Sequence, residues 1–218
     1  MPNNPGNLFK QYTLILICPL LLIVCCFSKT TSFLGANFFH CPLLDWWFTH
    51  FTHLGDGIVA VLLVSCYFIV KKTTLAIKLL ITFLFSGLVV QLLKALFQAP
   101  RPKTFFPENF YQYFIEGVTH SGFASFPSGH TTTAFAVAAM LSMNTSSRPI
   151  CILTFLAAIL VGYSRIYLGQ HFVEDVATGI IIGVASSIFI DYGYKSYIVR
   201  GRAVGKNPSN QYERPAAI

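Results

Sequence analysis

A histidine and an aspartate with the spacing of a catalytic pair lie in the C-terminal third of the chain. His171 and Asp175 are four residues apart, a spacing that places both side chains on one face of a helix. The carboxylate can then accept the Nδ1–H of the imidazole and leave Nε2 free to act as a nucleophile. Arg165, a little upstream, carries a planar fork of donors that suits a phosphate group. An ion pair between Arg165 and Asp175 or Glu174 would be the structural alternative.

A second group of polar residues, from Phe126 to His130, stands at the start of an apolar run. Ser128 is suited to cap a helix that begins there. The backbone N–H groups of Ser128, Gly129 and His130 would then point outward as an anion site, and Gly129 allows a ligand to approach the backbone closely. A capped helix start alone would explain the segment equally well, but it would not require a histidine in the first turn of the helix.

A third group closes a long apolar run in the middle of the chain. Lys94 and Arg101 are seven residues apart, which is about two helical turns, so that they can share a face. Pro100 and Pro102 stop the helix and fix the direction in which the chain leaves it. Taken alone, Lys94 could also be a lysine whose charged end reaches the membrane surface.

Together the three groups supply three cations, a helix N-terminus and two histidines, one of which has its own carboxylate. The sequence contains neither a carboxylate set typical of magnesium sites nor a glycine-rich nucleotide loop. These residues therefore predict phosphoryl transfer without a metal ion or other cofactor. The cations would neutralise the phosphate oxygens, one histidine would attack, and the other would protonate the leaving oxygen.

The composition indicates that these residues belong to a membrane protein. Of 218 residues, 54% are hydrophobic and only 11% are charged, whereas soluble domains carry about 25% charged residues. The mean hydropathy is +0.61. Apolar runs predict about six membrane-spanning helices, at Tyr12–Phe27, Leu54–Val70, Leu75–Phe97, His130–Met143, Pro149–Tyr163 and Phe172–Ile190. Gly179 and Gly183, in the last run, predict close packing between helices. Because the basic residues stand at the ends of apolar runs, nucleic-acid binding is disfavoured.

The distribution of lysine and arginine predicts the orientation, because basic residues are in excess on the cytoplasmic side. The inner segments would contain Lys10, Lys71, Lys72, Lys78, Arg148, Lys195, Arg200, Arg202, Lys206 and Arg214. The outer segments would contain Lys29, Lys94, Arg101, Lys103 and Arg165. Both termini are therefore predicted to be cytoplasmic, and all three polar groups lie at outer helix ends. We expect one transmembrane domain over residues 1–195 and a basic, flexible cytoplasmic tail over residues 196–218.

Two segments outside these runs carry predictions of their own. Residues 43–54 are rich in aromatic side chains and predict an amphipathic helix on the outer surface. His50 and His53 could face together there as metal ligands, but no third ligand follows at a suitable spacing, so histidines on a polar face are favoured. The aromatic residues of the outer loop 103–124 would form an interfacial lid, contact acyl chains or serve only for packing.

The three polar groups resemble the signature of the type 2 phosphatidic acid phosphatase (PAP2) superfamily. That signature reads K-x6-R-P, then P-S-G-H, then S-R-x5-H-x3-D. Its positions in this chain, in the same order, are Lys94, Arg101 and Pro102; Pro127, Ser128, Gly129 and His130; and Ser164, Arg165, His171 and Asp175. The superfamily also includes vanadium haloperoxidases and soluble acid phosphatases, which the hydrophobicity of this chain disfavours.

The resemblance implies an all-α bundle of six transmembrane helices, to which we add the interfacial helix. It implies that His171 is the nucleophile and forms a phosphohistidine, that Asp175 orients it, and that His130 is the general acid. Phosphate would be bound by Lys94, Arg101, Ser128, Gly129 and Arg165.

The function implied is that of an integral membrane phosphatase, with the bilayer and a membrane lipid phosphate or pyrophosphate as its partners. Compact bacterial members act on undecaprenyl pyrophosphate, phosphatidylglycerol phosphate, phosphatidic acid or lipid A phosphates. We therefore expect a bacterial inner (cytoplasmic) membrane protein whose active site faces the periplasm or exterior. Two alternatives remain: a lipid phosphotransferase that passes the phosphate to another lipid, and a non-catalytic protein that binds or transports lipid phosphates.

Overall fold

The computed structural model describes residues 4–204, which form α-helices and one short 3-10 turn (Thr52–Gly55) and no β-strand. The helices are α1 (Pro5–Cys26), α2 (Lys29–Ala36), α3 (Pro42–Phe51), α4 (Gly57–Ile69), α5 (Thr73–Phe97), α6 (Pro102–Phe105), α7 (Gly129–Met143), α8 (Arg148–Tyr167) and α9 (Val173–Val204). The prediction of an all-α membrane protein is confirmed. Each of the six apolar runs corresponds to one helix, namely α1, α4, α5, α7, α8 and α9.

The apolar helices differ in how well their length suits a bilayer. Within the described residues, four stretches are long and apolar enough to cross one: Pro5–Cys26, Thr73–Phe105, Arg148–Tyr167 and Val173–Ile198. The segments Pro42–Gly55 and Gly57–Ile69 pass the same test as a pair bent by 51°. Helix α7 has only 15 residues, a rise of about 22 Å against a hydrocarbon core of about 30 Å. Length and composition therefore support four or five spans.

Helix α7 lies at the centre of the bundle and packs most closely against α9. A Cβ atom added at Gly183 would stand 2.5 Å from the Thr132 carbonyl oxygen, and one at Gly179 would stand 2.9 Å from that of Ser128. The Ser187 hydroxyl of α9 donates to the Ala136 carbonyl oxygen of α7 at 2.7 Å. The two glycines thus permit the close helix packing that their spacing predicts, and this contact fixes the start of α7 beside the start of α9.

A buried ion pair joins α5 and α9 at the other end of the bundle. The Lys78 Nζ atom lies 2.7 Å from Asp191 Oδ1 and donates to Asn144 Oδ1 at 2.9 Å. Lys195 binds the second carboxylate oxygen of Asp191 at 2.7 Å. A charged group inside a membrane domain is stable only when it is paired in this way. The cluster ties the C-terminal part of α9 to α5 and to the end of α7.

The segment predicted to be an interfacial helix forms α3 and the 3-10 turn, which together cover residues 42–55. Leu43 and Trp46 are largely exposed, while Phe48 is buried against Tyr167 at the end of α8. His50 Nδ1 lies 2.7 Å from the Trp46 carbonyl oxygen, a contact within its own helix. The segment is therefore helical as predicted, and the bend that follows it directs residues 52–56 toward the centre of the bundle.

The loop after α6 uses its aromatic residues in two ways. Phe106 and Tyr111 are buried against Phe33 of α2, which is ordinary packing. Tyr113 is half exposed, and its ring stacks on His40 at 4.6 Å between centroids. His40 Nε2 also lies 2.9 Å from the Tyr111 hydroxyl, so this histidine anchors the loop. At the C-terminus, α9 continues through residues 196–204 of the predicted tail, and the remaining tail residues lie outside the described part.

Candidate active site

The three predicted polar groups meet around one cavity of about 460 Å³. Six of the eight predicted site residues line it: Lys94, Arg101, Gly129, His130, Arg165 and His171. They come from the end of α5, the loop before α6, the start of α7, the end of α8 and the turn between α8 and α9. Asp175 and Ser128 are fully buried behind this wall. The convergence expected from the sequence is therefore present.

A tight turn between α8 and α9 presents His171 to the cavity. Gly169 has a positive φ of 62°, and a Cβ there would stand 2.8 Å from the Phe114 ring, so that only glycine fits without strain. The His171 backbone N–H donates to the Arg165 carbonyl oxygen at 3.1 Å. The imidazole is 2% exposed, and its position is thus set by the backbone of the turn and by the elements packed around it.

Asp175 holds the imidazole from behind. Its Oδ2 atom lies 3.4 Å from His171 Nδ1 and accepts shorter hydrogen bonds from the Ser125 hydroxyl at 2.6 Å and the Phe172 N–H at 2.9 Å. A carboxylate on Nδ1 favours the tautomer that leaves Nε2 unprotonated. Sequence reasoning missed Ser125, because its contact with Asp175 joins residues 50 positions apart.

Burial keeps His171 neutral. Desolvation lowers the pKa of the His171 imidazole to about 4, although the adjacent Asp175 carboxylate acts in the opposite direction. Removing a cation from water costs free energy, and neighbouring arginines add repulsion to any charge on the ring. At neutral pH the ring therefore carries the unprotonated nitrogen that a nucleophile needs.

Two arginines face the cavity, each held by a neutral side chain. Arg165 is 6% exposed and donates from Nη1 to the Thr52 hydroxyl at 2.8 Å. Its Nε has no hydrogen-bond partner within residues 4–204, and neither Asp175 nor Glu174 pairs with it there. The alternative of an Arg165 ion pair is therefore absent from the described part of the chain.

The second arginine is fixed through a glutamine of the α8–α9 turn. Arg101 donates from Nη1 to Gln170 Oε1 at 2.6 Å. Gln170 in turn donates to the Val118 carbonyl oxygen in the loop after α6. Neither arginine has its charge neutralised by a carboxylate at these contacts, and both remain available to an anion. Thr52 and Gln170 were not predicted, because their contacts join residues far apart in the sequence.

Ser128 departs from its prediction. Its backbone N–H donates to the Asp175 carbonyl oxygen at 3.1 Å and so does not face the cavity. Its hydroxyl lies 2.8 Å from Thr131 Oγ1 and accepts from the Thr131 N–H at 3.5 Å, as a helix cap does. The expectation of an outward Ser128 N–H is therefore wrong. Gly129 and His130, whose N–H groups in the first turn lack intrahelical acceptors, form the wall at this point.

The wall beside the start of α7 comes from a segment that no prediction assigned to the site. Thr49, Thr52, His53 and Asp56 line the cavity. Asp56 Oδ1 lies 2.6 Å from His130 Nε2. The sequence carried a signal for this contact in the pair His53 and Asp56, three residues apart, but not its partner on α7. Among the residues described, no three His, Cys, Asp or Glu side chains come together as a metal site.

A PAP2 superfamily model matches residues 75–196. The chain belongs to the PAP2 superfamily, as its three motifs predict. It is 29% identical to phosphatidylglycerophosphatase B of Bacillus subtilis over 174 residues. The aligned residues cover 74% of this chain and 80% of that protein. It is 37% identical to lipid A 1-phosphatase of Rhizobium johnstonii over 114 residues. The aligned residues cover 50% of this chain and 44% of that protein.

Two solved structures share the fold. The crystal structure of Aquifex aeolicus LpxE matches with a TM-score of 0.66 and 34% identity, over 77% of this chain and 97% of that one. The crystal structure of a transmembrane PAP2-type phosphatidylglycerolphosphate phosphatase from Bacillus subtilis matches with a TM-score of 0.63 and 26% identity. The match covers 91% of this chain and 98% of that one. The prediction of a membrane lipid phosphatase is confirmed at the level of its class.

Proposed function

We propose that this chain hydrolyses the phosphate ester of a membrane lipid with His171 as the nucleophile. The observation that carries the proposal is the cavity itself, where a neutral imidazole backed by Asp175 opens onto the same space as Lys94, Arg101 and Arg165. Three cations around one uncharged nucleophile form a site for an anion that is to be attacked.

The reaction then has two steps. Nε2 of His171 attacks phosphorus, the bond to the lipid oxygen breaks, and a proton from His130 goes to that oxygen. The Asp175 carboxylate stabilises the cationic ring of the phosphohistidine. Water next attacks phosphorus, His130 takes a proton from the water, the phosphorus–nitrogen bond breaks, and phosphate leaves. His130 ends the cycle protonated, as it began.

An apolar groove below the cavity supports a lipid as the substrate. The groove has a volume of about 260 Å³ and begins one helical turn from the site, at Ala134 on α7 and Val161 on α8. Leu54 closes its upper end beside the cavity residue His53. A phosphate held by Arg165 would place the first carbons of the attached lipid in this groove. We propose that the groove receives the hydrocarbon part of the substrate.

We propose that all six apolar helices belong to the membrane domain and that the cavity opens on the outer side. The basic residue distribution supports this orientation, and in it α3 would lie near the outer surface. The names of the relatives favour phosphatidylglycerol phosphate and lipid A phosphates as the first substrates to test.

The test is phosphate release from a panel of pure lipid phosphates in detergent. The panel contains phosphatidylglycerol phosphate, phosphatidic acid, lipid A phosphates and undecaprenyl pyrophosphate. We expect release by the wild-type protein and none by His171→Ala. Equal release by both proteins would exclude His171 as the nucleophile. Phosphorylated lipid products in place of free phosphate would indicate a phosphotransferase instead.

A further inference from the structure

Two side chains, those of His53 and Asp56, connect the surface to His130, the histidine proposed as general acid. Asp56 Oδ1 lies 2.6 Å from His130 Nε2, and Asp56 Oδ2 lies 2.7 Å from His53 Nδ1. The side chain of His53 is 67% exposed, whereas those of Asp56 and His130 are 29% and 30% exposed. One carboxylate therefore bridges two imidazoles, with each of its oxygens bound to one of them.

The local backbone holds Asp56 in this place. The residue is the N-cap of α4, a position where an aspartate usually accepts from the N–H groups of its own helix. Its side chain makes no such bond and turns toward the two histidines instead. Gly55 lies against α7 and α8, since a Cβ there would stand 2.9 Å from the His130 carbonyl oxygen and 2.7 Å from Val161 Cγ1. The close approach of this glycine brings Asp56 to His130.

The charged groups around His130 determine how readily its ring holds a proton, and Asp56 differs from the others in its effect. The groups that face this ring from the surrounding elements are Arg165, Lys94, His171 and Asp56. Burial opposes a proton on the ring, the cations Arg165 and Lys94 oppose it further, and His171 is neutral. Among these groups only the Asp56 carboxylate favours the protonated ring. A general acid must hold its proton until the leaving oxygen needs it.

We propose that Asp56 is a positioning residue for His130, that it keeps the proton of the general acid on the ring, and that His53 fixes its carboxylate. This inference rests on the proposed function. The Asp56 carboxylate retains the Nε2 proton of the imidazolium. The other ring proton passes to the leaving oxygen, and the electron pair of that N–H bond stays on the ring.

The test compares two substrates that differ in the leaving group. An alkyl lipid phosphate releases a strongly basic alkoxide that requires a proton, whereas p-nitrophenyl phosphate releases a stable phenolate that does not. We expect Asp56→Asn to lower kcat/KM on the lipid phosphate by about 10- to 100-fold and to leave kcat/KM on the aryl phosphate within about threefold. This ratio reports phosphoryl transfer to His171 and not the later attack of water, which both substrates share. The alkaline limb of the pH profile for the lipid substrate should move to lower pH.

Two further variants complete the experiment. His53→Gln should act in the same direction with a smaller loss, because His53 reaches His130 only through Asp56. His50→Gln is the matched control, since His50 is an exposed histidine of the same segment whose side chain bonds to the Trp46 carbonyl oxygen of its own helix. Equal losses on both substrates, or an unchanged alkaline limb in Asp56→Asn, would overturn the inference. Failure of the proposed function is separate, because the wild-type protein and His171→Ala would then behave alike.

Discussion

The Ser125 hydroxyl donates to Oδ2 of Asp175 at 2.6 Å, a shorter contact than the 3.4 Å between that oxygen and His171 Nδ1. Ser125, together with the Phe172 N–H that donates to the same oxygen at 2.9 Å, thus fixes the carboxylate. Removing the serine would leave a buried carboxylate with one fewer donor and a freer torsion, while the nucleophile itself stays intact.

We therefore expect replacement of His171 to reduce phosphate release more than replacement of Ser125. His171→Ala should reduce phosphate release by at least about 10³-fold, because the nucleophile is lost. Ser125→Ala should reduce it by about tenfold, the cost of one hydrogen bond to a charged group. Single-turnover assays with radiolabelled lipid phosphate measure both. Trapping of an acid-labile phosphoprotein in the wild-type protein, and its absence from His171→Ala, serves as the control. Equal activity of Ser125→Ala and wild type would contradict the role of the serine.

Arg165 offers a test of geometry at constant charge. Arg165→Lys keeps the cation but loses the planar fork and the bond to Thr52. We expect about 10²-fold lower kcat/KM. Thr52→Val should cost only about fivefold, because it removes one hydrogen bond and leaves the guanidinium in place. If the lysine variant retained full activity, phosphate would be held by charge alone.

The acid limb of the pH profile reports on His171. Because burial lowers the pKa of His171 to about 4, the unprotonated ring prevails above that pH and is lost as the pH falls through it. We expect kcat/KM to stay level down to about pH 5 and then to fall about tenfold per unit of pH below 4. A limb near the ordinary histidine value of about 6.5 would show that the site is solvated. The measurement uses a substrate whose own ionisation is known over this range.

The ion pair at the far end of the bundle predicts an asymmetry in stability. Asp191→Leu would leave Lys78 buried with only Asn144 as a partner, whereas Lys78→Met would leave Asp191 paired with Lys195. We expect Asp191→Leu to cost about 3–5 kcal/mol, seen as a lower melting temperature in detergent, and Lys78→Met to cost less. The double variant should recover part of the loss. The reverse order of the two single variants would contradict this account of the cluster.

A metal-free reaction predicts that chelation has no effect. We expect full activity after dialysis against EDTA and no increase on adding magnesium, because the cations of the cavity are side chains. The parallel assay uses a magnesium-dependent phosphatase to confirm that the chelator works. Loss of activity in EDTA that magnesium restores would overturn this prediction.

Much of the site could be predicted from the sequence, because the site depends on the spacing of residues that are close together in the chain. The interval between His171 and Asp175 and the apolar runs behind each motif fix which side chains reach the cavity. What could not be read depends on tertiary contacts. Thr52 meets Arg165 across 113 positions, and Asp56 reaches His130 only because Gly55 packs against α7. The wrong expectation for the Ser128 N–H has the same origin, because its acceptor is a carbonyl on α9.

Four residues that line the cavity, Thr49, Thr52, His53 and Asp56, precede the stretch that matches the superfamily, residues 75–196. The wall that these residues form and the three cations of the cavity, Lys94, Arg101 and Arg165, thus come from different parts of the sequence. Because His171 and Asp175 lie outside this wall, we expect substitutions in it to leave the nucleophile and its carboxylate in place. Exchanging residues 49–56 for those of a relative would therefore test whether this wall selects the lipid.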